Sequence, residues 1–155
     1  MGKTRVVFID RGAKVNSSYY CNIVLEKGLL PDIRAMCRHY RWTLQQDGAP
    51  VHTARTTMDY LKKRAHQLHC MIAPHMWPPN SPAINPVDYA VSGALQQRVY
   101  HQRQLKTVEE LERSIVNKWQ KLSQRFLDNS INEWRRRLEA VIKNGGGHIE
   151  HCNLV

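Results

Sequence analysis

Two carboxylates in this chain have the surroundings that metal-dependent nucleotidyl transfer uses. Asp47 ends a short strand-like run, WTLQQ (42–46), and Asp88 falls in the first turn of an amphipathic helix that a Pro-rich segment delivers. Carboxylates that converge on divalent cations let the cations activate an attacking oxygen and stabilise a leaving one. Hard oxygen ligands suit Mg2+ and Mn2+. The end of a strand, at the carboxyl edge of a sheet, is where α/β folds place their chemistry. Each residue also has a plainer reading. An Asp before Gly is most often a turn residue, and an Asp in a first helical turn often only complements the helix dipole.

The elements that must position these residues follow from periodicity and punctuation. Residues 4–9, TRVVFI, are β-branched and aromatic and end on Asp10-Arg11-Gly12, which predicts a strand and a turn. From Asn16 to His39, Tyr20, Ile23, Val24, Leu29, Leu30, Ile33 and Met36 keep helical spacing; Asn16 or Ser17 caps the helix, and Gly28 and Pro31 should break or bend it. Residues 41–46 predict a second strand, 51–65 a helix with a basic end (Lys62, Lys63, Arg64), and 69–73 a third strand. Residues 74–86 carry five Pro and predict an extended loop. Asn85 and Pro86 then open the helix of Asp88. Thr107 and Glu110 form a capping box, with Val108, Leu111, Ile115, Trp119, Leu122 and Phe126 as the apolar stripe. Ser130 and Glu133 predict a second box, with Ile131, Trp134, Leu138 and Val141 on one face. Three glycines, 145–147, should end the helical region.

This order predicts an α/β domain with few strands and a helical C-terminal layer. The length of 155 residues allows one domain with a real core, and 42% apolar residues with four Trp argue against disorder. A net charge of +10 favours a polyanionic partner. No run approaches the ~18 apolar residues of a membrane helix, and the start, MGKTRVVFID, lacks a signal-peptide core. Gly2 lacks the myristoylation pattern, because Val6 stands where Ser or Thr is needed. An intracellular protein is expected. Cys21, Cys37, Cys70 and Cys152 have no paired spacing, which fits reduced thiols.

LQQDGAPVHTA (44–54) and WPPNSPAINPVDYAVSGALQQRVY (77–100) resemble the second and third acidic motifs of mariner-type DNA transposases. GAKVNSSYY (12–20), TVEELERSIVNKWQKLSQRF (107–126) and INEWRRRLEAVIKNGGGHIEHC (131–152) are similar to the same family, so the likeness spans nearly the whole chain. The resemblance implies a ribonuclease-H-like catalytic domain that cuts transposon ends and joins them to target DNA with Mg2+ or Mn2+. It implies Asp47 as the second catalytic, metal-binding carboxylate and Asp88 as the third. It also implies nuclear localisation, DNA as partner, and a homo-oligomer or another partner covering an open sheet edge. Ala83 stands where the family's loop usually has Asp, and Ser92 where its helix usually has Trp. A lost Trp would cost roughly 3–5 kcal/mol if that position is buried.

The family's first catalytic Asp lies on the central strand of the sheet. Asp10 does not fit it, since a hairpin, a helix and a strand must separate the first two carboxylates, and residues 11–46 hold one helix and one strand. Asp32, inside a helix, does not fit either. The resemblance therefore predicts an incomplete ribonuclease-H-like domain: residues 1–144 as a catalytic domain without its first two strands, and 145–155 as a flexible tail. Weak or absent metal binding and an inactive chain are expected, with a transposase-derived, non-enzymatic nuclear DNA- or protein-binding role as the alternative. Other candidates have plainer readings. His148, Glu150, His151 and Cys152 make a poor zinc pattern, and His52 can lie near phosphate or metal but starts a helix at the surface. Lys62 to Arg64 and Arg135 to Arg137 can contact DNA backbone. Tyr89 and Trp77 can stack on bases or pack in a core.

Overall fold

The computed structural model describes residues 2–38, 40–64, 70–101, 105–147 and 149. The chain divides into two compact units, Met1–Asn80 and Ser81–Val155. The first is built on a helical run, a two-stranded sheet and a crossover. β1, Thr43–Leu44, pairs in parallel with β2, Cys70–Met71, in the register Thr43 to Cys70 and Leu44 to Met71. These are the second and third predicted strands in shortened form; residue 69 lies outside the described residues.

The first predicted strand is corrected. Residues 4–9 form no ladder among the described residues. The segment is held by side chains instead. The Arg5 amide donates to Asp32 Oδ2 at 2.7 Å, and Arg5 Nη2 donates to the carbonyls of Lys27 (2.8 Å) and Gly28 (3.2 Å). Val7 seats on Gly28 so closely that a Cβ there would stand 2.8 Å from Val7 Cγ2. Phe8 and Ile9 stay exposed, at 38% and 40%. A strand needs a neighbouring backbone, and this segment has a helix surface.

Of the break or bend expected at Gly28 and Pro31, the break does not occur. Helix continues through Ser17–Tyr19, a π-helical Tyr20–Leu29 and Leu30–Cys37. Asn16 opens it as predicted, its Oδ1 accepting from the Tyr19 amide at 2.9 Å. Pro31 has no N–H for the Lys27 carbonyl four residues back. Arg5 supplies that missing donor, so the proline is accommodated. The wide turn also shifts which residues face inward. Leu25, absent from the predicted stripe, is buried with Tyr20, Leu30 and Leu61 in a core packed by Trp42, Leu44 and Met71.

The predicted helix over 51–65 is two helices, Pro50–Thr53 and Arg55–Lys63, parted by Ala54 in an extended conformation (φ −55°, ψ 139°). A continuous helix would give the Val51 carbonyl the Arg55 amide. Here the hydroxyl of fully buried Thr57 donates to it at 2.6 Å. Glu26, Tyr60 and Arg64 brace this crossover. The Tyr60 hydroxyl donates to Glu26 Oε2, Arg64 Nη2 lies 2.6 Å from the same oxygen, and the guanidinium carbon stands 3.9 Å from the Tyr60 ring centre.

The loop predicted over 74–86 is partly ordered into 3-10 turns at Pro74–Met76 and Pro82–Ile84. In the second unit Asn85 starts the next helix. Its Oδ1 accepts from the Val87 amide at 3.1 Å, and its carbonyl accepts from the amides of Asp88 and Tyr89. A π-helical Val87–Val91 leads into Ser92–Tyr100. Val108–Lys121 follows, capped as predicted: Thr107 Oγ1 accepts from the Glu110 amide, and Glu110 Oε2 accepts from the Lys106 amide. It ends before Phe126, because Leu122 is extended (φ −63°, ψ 122°).

The second predicted capping box is corrected. Gln124–Lys143 is one helix whose cap is Ser123, its Oγ accepting from the Phe126 amide at 3.2 Å. Ser130 lies within it and donates to the Phe126 carbonyl at 2.9 Å, the internal bond a mid-helix serine makes. Gly145 (φ 62°) and Gly146 (φ 88°) end the helix in the left-handed region, with the Gly146 amide on the Val141 carbonyl. Of the predicted tail only 145–147 and Ile149 are described, and Ile149 is buried. Ser92 is exposed, so the cost of a lost buried Trp does not arise at this position.

Candidate functional site

Asp47 follows β1 where the chain turns into the Pro50–Thr53 helix. Its Oδ1 accepts from the Ala49 amide at 3.0 Å, closing a turn two residues long. His52 Nδ1 lies 2.6 Å from the same oxygen. The Ala49 amide, and then the hydrogen bond and charge of His52, hold the carboxyl below the usual carboxylate range against the opposing effect of partial burial. An ionised carboxylate only accepts, so Nδ1 carries the shared proton. Oδ2 has no protein partner among the described residues. The side chain is 49% exposed. Asp47 is thus both the turn residue of its plainer reading and an ionised oxygen donor open to solvent.

Behind it the His52 ring lies against Tyr20, with centroids 4.8 Å apart and planes tilted 47°. The Tyr20 hydroxyl accepts from Gln46 Nε2. Burial raises the Tyr20 hydroxyl to about 12, so it stays protonated at neutral pH. Sequence reasoning placed His52 at the helix start and missed this bond. The signal was the five-residue spacing in DGAPVH: an Asp turn followed by one helical turn returns the fifth residue to the carboxylate.

Asp88 sits in the first turn of Val87–Val91, exposed, with no side-chain partner among the described residues. The segment around it is clamped to the Gln124–Lys143 helix. The Tyr89 hydroxyl donates to the Ser130 carbonyl. Arg137 stands 4.1 Å from the Tyr89 ring centre and donates through Nε to the carbonyl of buried Ala83. Tyr89 is therefore a packing residue here, and burial raises its hydroxyl. Trp77 is buried. Trp77 therefore offers no exposed ring for stacking on bases, and Arg137 covers one face of Tyr89.

The two basic runs differ. Arg135 pairs with Glu139, Arg136 with Glu133, and Arg137 holds Ala83. Lys62 and Lys63 are exposed and in no ion pair among the described residues. Asp10 accepts from the Tyr19 hydroxyl at 2.8 Å, and Asp32 anchors Arg5. Cys21, Cys37 and Cys70 are free thiols. His148, Glu150, His151 and Cys152 lie outside the described residues. Among the described residues no group of three His, Cys, Asp or Glu side chains gathers, and no helix is long and apolar enough to cross a membrane.

No family model matches the chain. It is 29% identical over 154 residues to the transposable element Tc3 transposase of Caenorhabditis elegans, covering 96% of this chain and 42% of that protein. The chain therefore spans less than half the length of this relative. Its structure is similar to the catalytic domain of Mos1 mariner transposase, with a TM-score of 0.69, 22% identity, and coverage of 90% of this chain and 66% of that one. It is also similar to the transposase chain of the Mos1 mariner paired-end complex with Mn, with a TM-score of 0.72, 19% identity, and coverage of 95% and 42%. The fold is that of the ribonuclease-H-like Mos1 catalytic domain, in a mostly helical form with a two-stranded sheet. The likeness in sequence is thus to the Tc3 transposase, and the likeness in fold is to the Mos1 transposase.

Proposed function

We propose that this chain is part of a mariner-type transposase catalytic region, that it binds DNA in the nucleus, and that metal-dependent strand cleavage and transfer is the ancestral role of that region, not an activity of these residues by themselves. The observation that carries the reading is Asp47: an ionised carboxylate at the end of β1, pinned through one oxygen and open at the other, in a chain similar to Tc3 and Mos1 transposases. Asp88, exposed and without a side-chain partner among the described residues, is the second carboxylate of the proposal.

A hard oxygen donor that is already ionised fits Mg2+ or Mn2+. Asp47 meets that description through Oδ2, and Asp88 adds an exposed oxygen donor. A divalent cation held by Asp47 or Asp88 would supply Lewis-acid polarisation of a phosphodiester. The chain's own residues do the rest. The turn at Asp47 orients the carboxylate, and the clamp of Arg137 and Tyr89 fixes the segment that carries Asp88. Lys62 and Lys63 offer phosphate contacts, within a net charge of +10. Each carboxylate by itself is a weak ligand, so affinity for metal should be low.

The test is Mn2+ titration of the chain followed by paramagnetic broadening of backbone amides. Broadening should centre on residues near Asp47 and Asp88 and disappear from each in turn with Asp47→Ala and Asp88→Ala. Broadening elsewhere, or unchanged in both variants, would defeat the metal reading. Duplex DNA binding without such broadening would favour the non-enzymatic alternative.

A further inference from the structure

We propose that His52 is the positioning residue of this site: it fixes Oδ1 of Asp47 so that Oδ2 is the oxygen presented to a divalent cation. The inference rests on the metal reading of Asp47 given above and assigns a role to a residue beyond the two carboxylates.

The argument is geometric. A carboxylate on one rotatable bond presents either oxygen unless one is held. The Ala49 amide and His52 Nδ1 both address Oδ1, at 3.0 and 2.6 Å. The amide alone is an ordinary turn contact. The second donor comes from a ring that is itself held. The His52 side chain is 22% exposed, its ring is backed by Tyr20, and its amide donates to the Ala49 carbonyl at 2.9 Å. Tyr20 is 8% exposed and is tied through its hydroxyl to Gln46, the residue before Asp47. The contacts close a loop: Asp47 to His52, His52 to Tyr20, Tyr20 to Gln46. Partners of this kind set the orientation of a ligating group, and removing one typically weakens metal binding by about 10–100-fold. Asp47 is half exposed, so the low end applies, about tenfold. With Nδ1 committed to Asp47, His52 serves through the carboxylate and not as a ligand through that nitrogen.

The test compares His52→Phe, which keeps a ring against Tyr20 and removes the donor, with His52→Asn, whose side-chain amide can replace Nδ1. Two quantities are read on the 155-residue chain: Mn2+ affinity from amide broadening, and hydrogen exchange of the Ala49 amide without metal. His52→Phe should weaken Mn2+ binding about tenfold and speed Ala49 exchange, with Tm close to the parent, and His52→Asn should recover part of both. Should His52→Phe fail to fold, His52→Asn against His52→Ala carries the same comparison. Parent-like Mn2+ affinity in His52→Phe, while Asp47→Ala abolishes binding, overturns the role of His52 and leaves the metal reading standing. Mn2+ binding untouched by Asp47→Ala overturns both, and Ala49 exchange unchanged in His52→Phe overturns the positioning claim by itself.

Discussion

At the residue scale, Asp47 shows how one side chain satisfies two readings. Its turn was legible, because Asp followed by Gly, Ala and Pro after a β-like run has few other conformations. Its ionisation was not, because that depends on where the next helix turns His52. The Ala49 amide, and after it His52, depress the Asp47 carboxyl. The sign follows from linkage. A carboxylate with a lowered folded value adds stability that is present above the ordinary Asp value of about 3.9 and is lost as pH falls through the folded value. His52→Phe should move the Asp47 carboxyl upward, and side-chain 13C shifts followed from pH 6 to pH 2, roughly the span around the Asp range, would show it. An unmoved midpoint would mean that the Ala49 amide alone sets the carboxyl. Gly28 makes a steric case at the same scale. A Cβ would meet Val7 Cγ2 at 2.8 Å and the Ile23 carbonyl at 3.2 Å. Ala is the better helix former by about 1 kcal/mol, but overpacking costs typically 1–3 kcal/mol. Gly28→Ala should therefore lower stability by about 1 kcal/mol in denaturant unfolding. A gain would show that the segment around Val7 moves aside without cost.

At the scale of elements, sequence reasoning succeeded where signals are local and failed where partners decide. Asn16, Asn85 and Thr107 open helices as their side chains predict, and glycines 145–147 end one. Residues 4–9 have strand composition without a strand, because a ladder is a property of two backbones and composition reports only one. Pro31, expected to break or bend its helix, does not break it, because Arg5, far away in sequence, meets the carbonyl of Lys27. Ser130 and Glu133 match a capping box, yet Ser123 caps the helix, and the Ser130 hydroxyl turns back onto Phe126. The pattern points to Ser130, because Phe126 stands three residues after Ser123, where a box needs Glu or Gln. The structure ranks them by what each hydroxyl touches. Ser123→Ala should cost about 1 kcal/mol, the usual value of a lost N-cap, and should fray the first turn. Ser130→Ala should cost less, since it removes only an internal hydroxyl bond from a helix that is already formed. Thermal unfolding of the two variants side by side decides the matter, and a larger loss at Ser130 would place the working start of the helix there.

At the scale of the whole molecule, charge is the property that survives every correction to the elements. The +10 excess makes contact with polyanions favourable whichever helices carry it. The structure shows how unevenly that charge is available. The three arginines from Arg135 to Arg137 are engaged with Glu139, Glu133 and the Ala83 carbonyl, whereas Lys62 and Lys63 stand exposed at the end of their helix. Availability matters because a cation already paired within the chain must give up that partner before it displaces counterions from DNA. Duplex binding should therefore be weak, insensitive to sequence and steeply salt-dependent, with each neutralised phosphate adding about 0.9 to the slope of log K against log salt. Replacing Lys62 and Lys63 together with Gln should flatten that slope by roughly 2 if both lysines meet phosphates. Replacing Arg135 and Arg136 with Gln should change it less, and should instead free Glu133 and Glu139. Fluorescence anisotropy of a labelled duplex across a salt series measures both effects on one scale. A larger change at the arginines than at the lysines would mean that the intramolecular pairs open on binding and that the Gln124–Lys143 helix, not the crossover helix, faces the DNA.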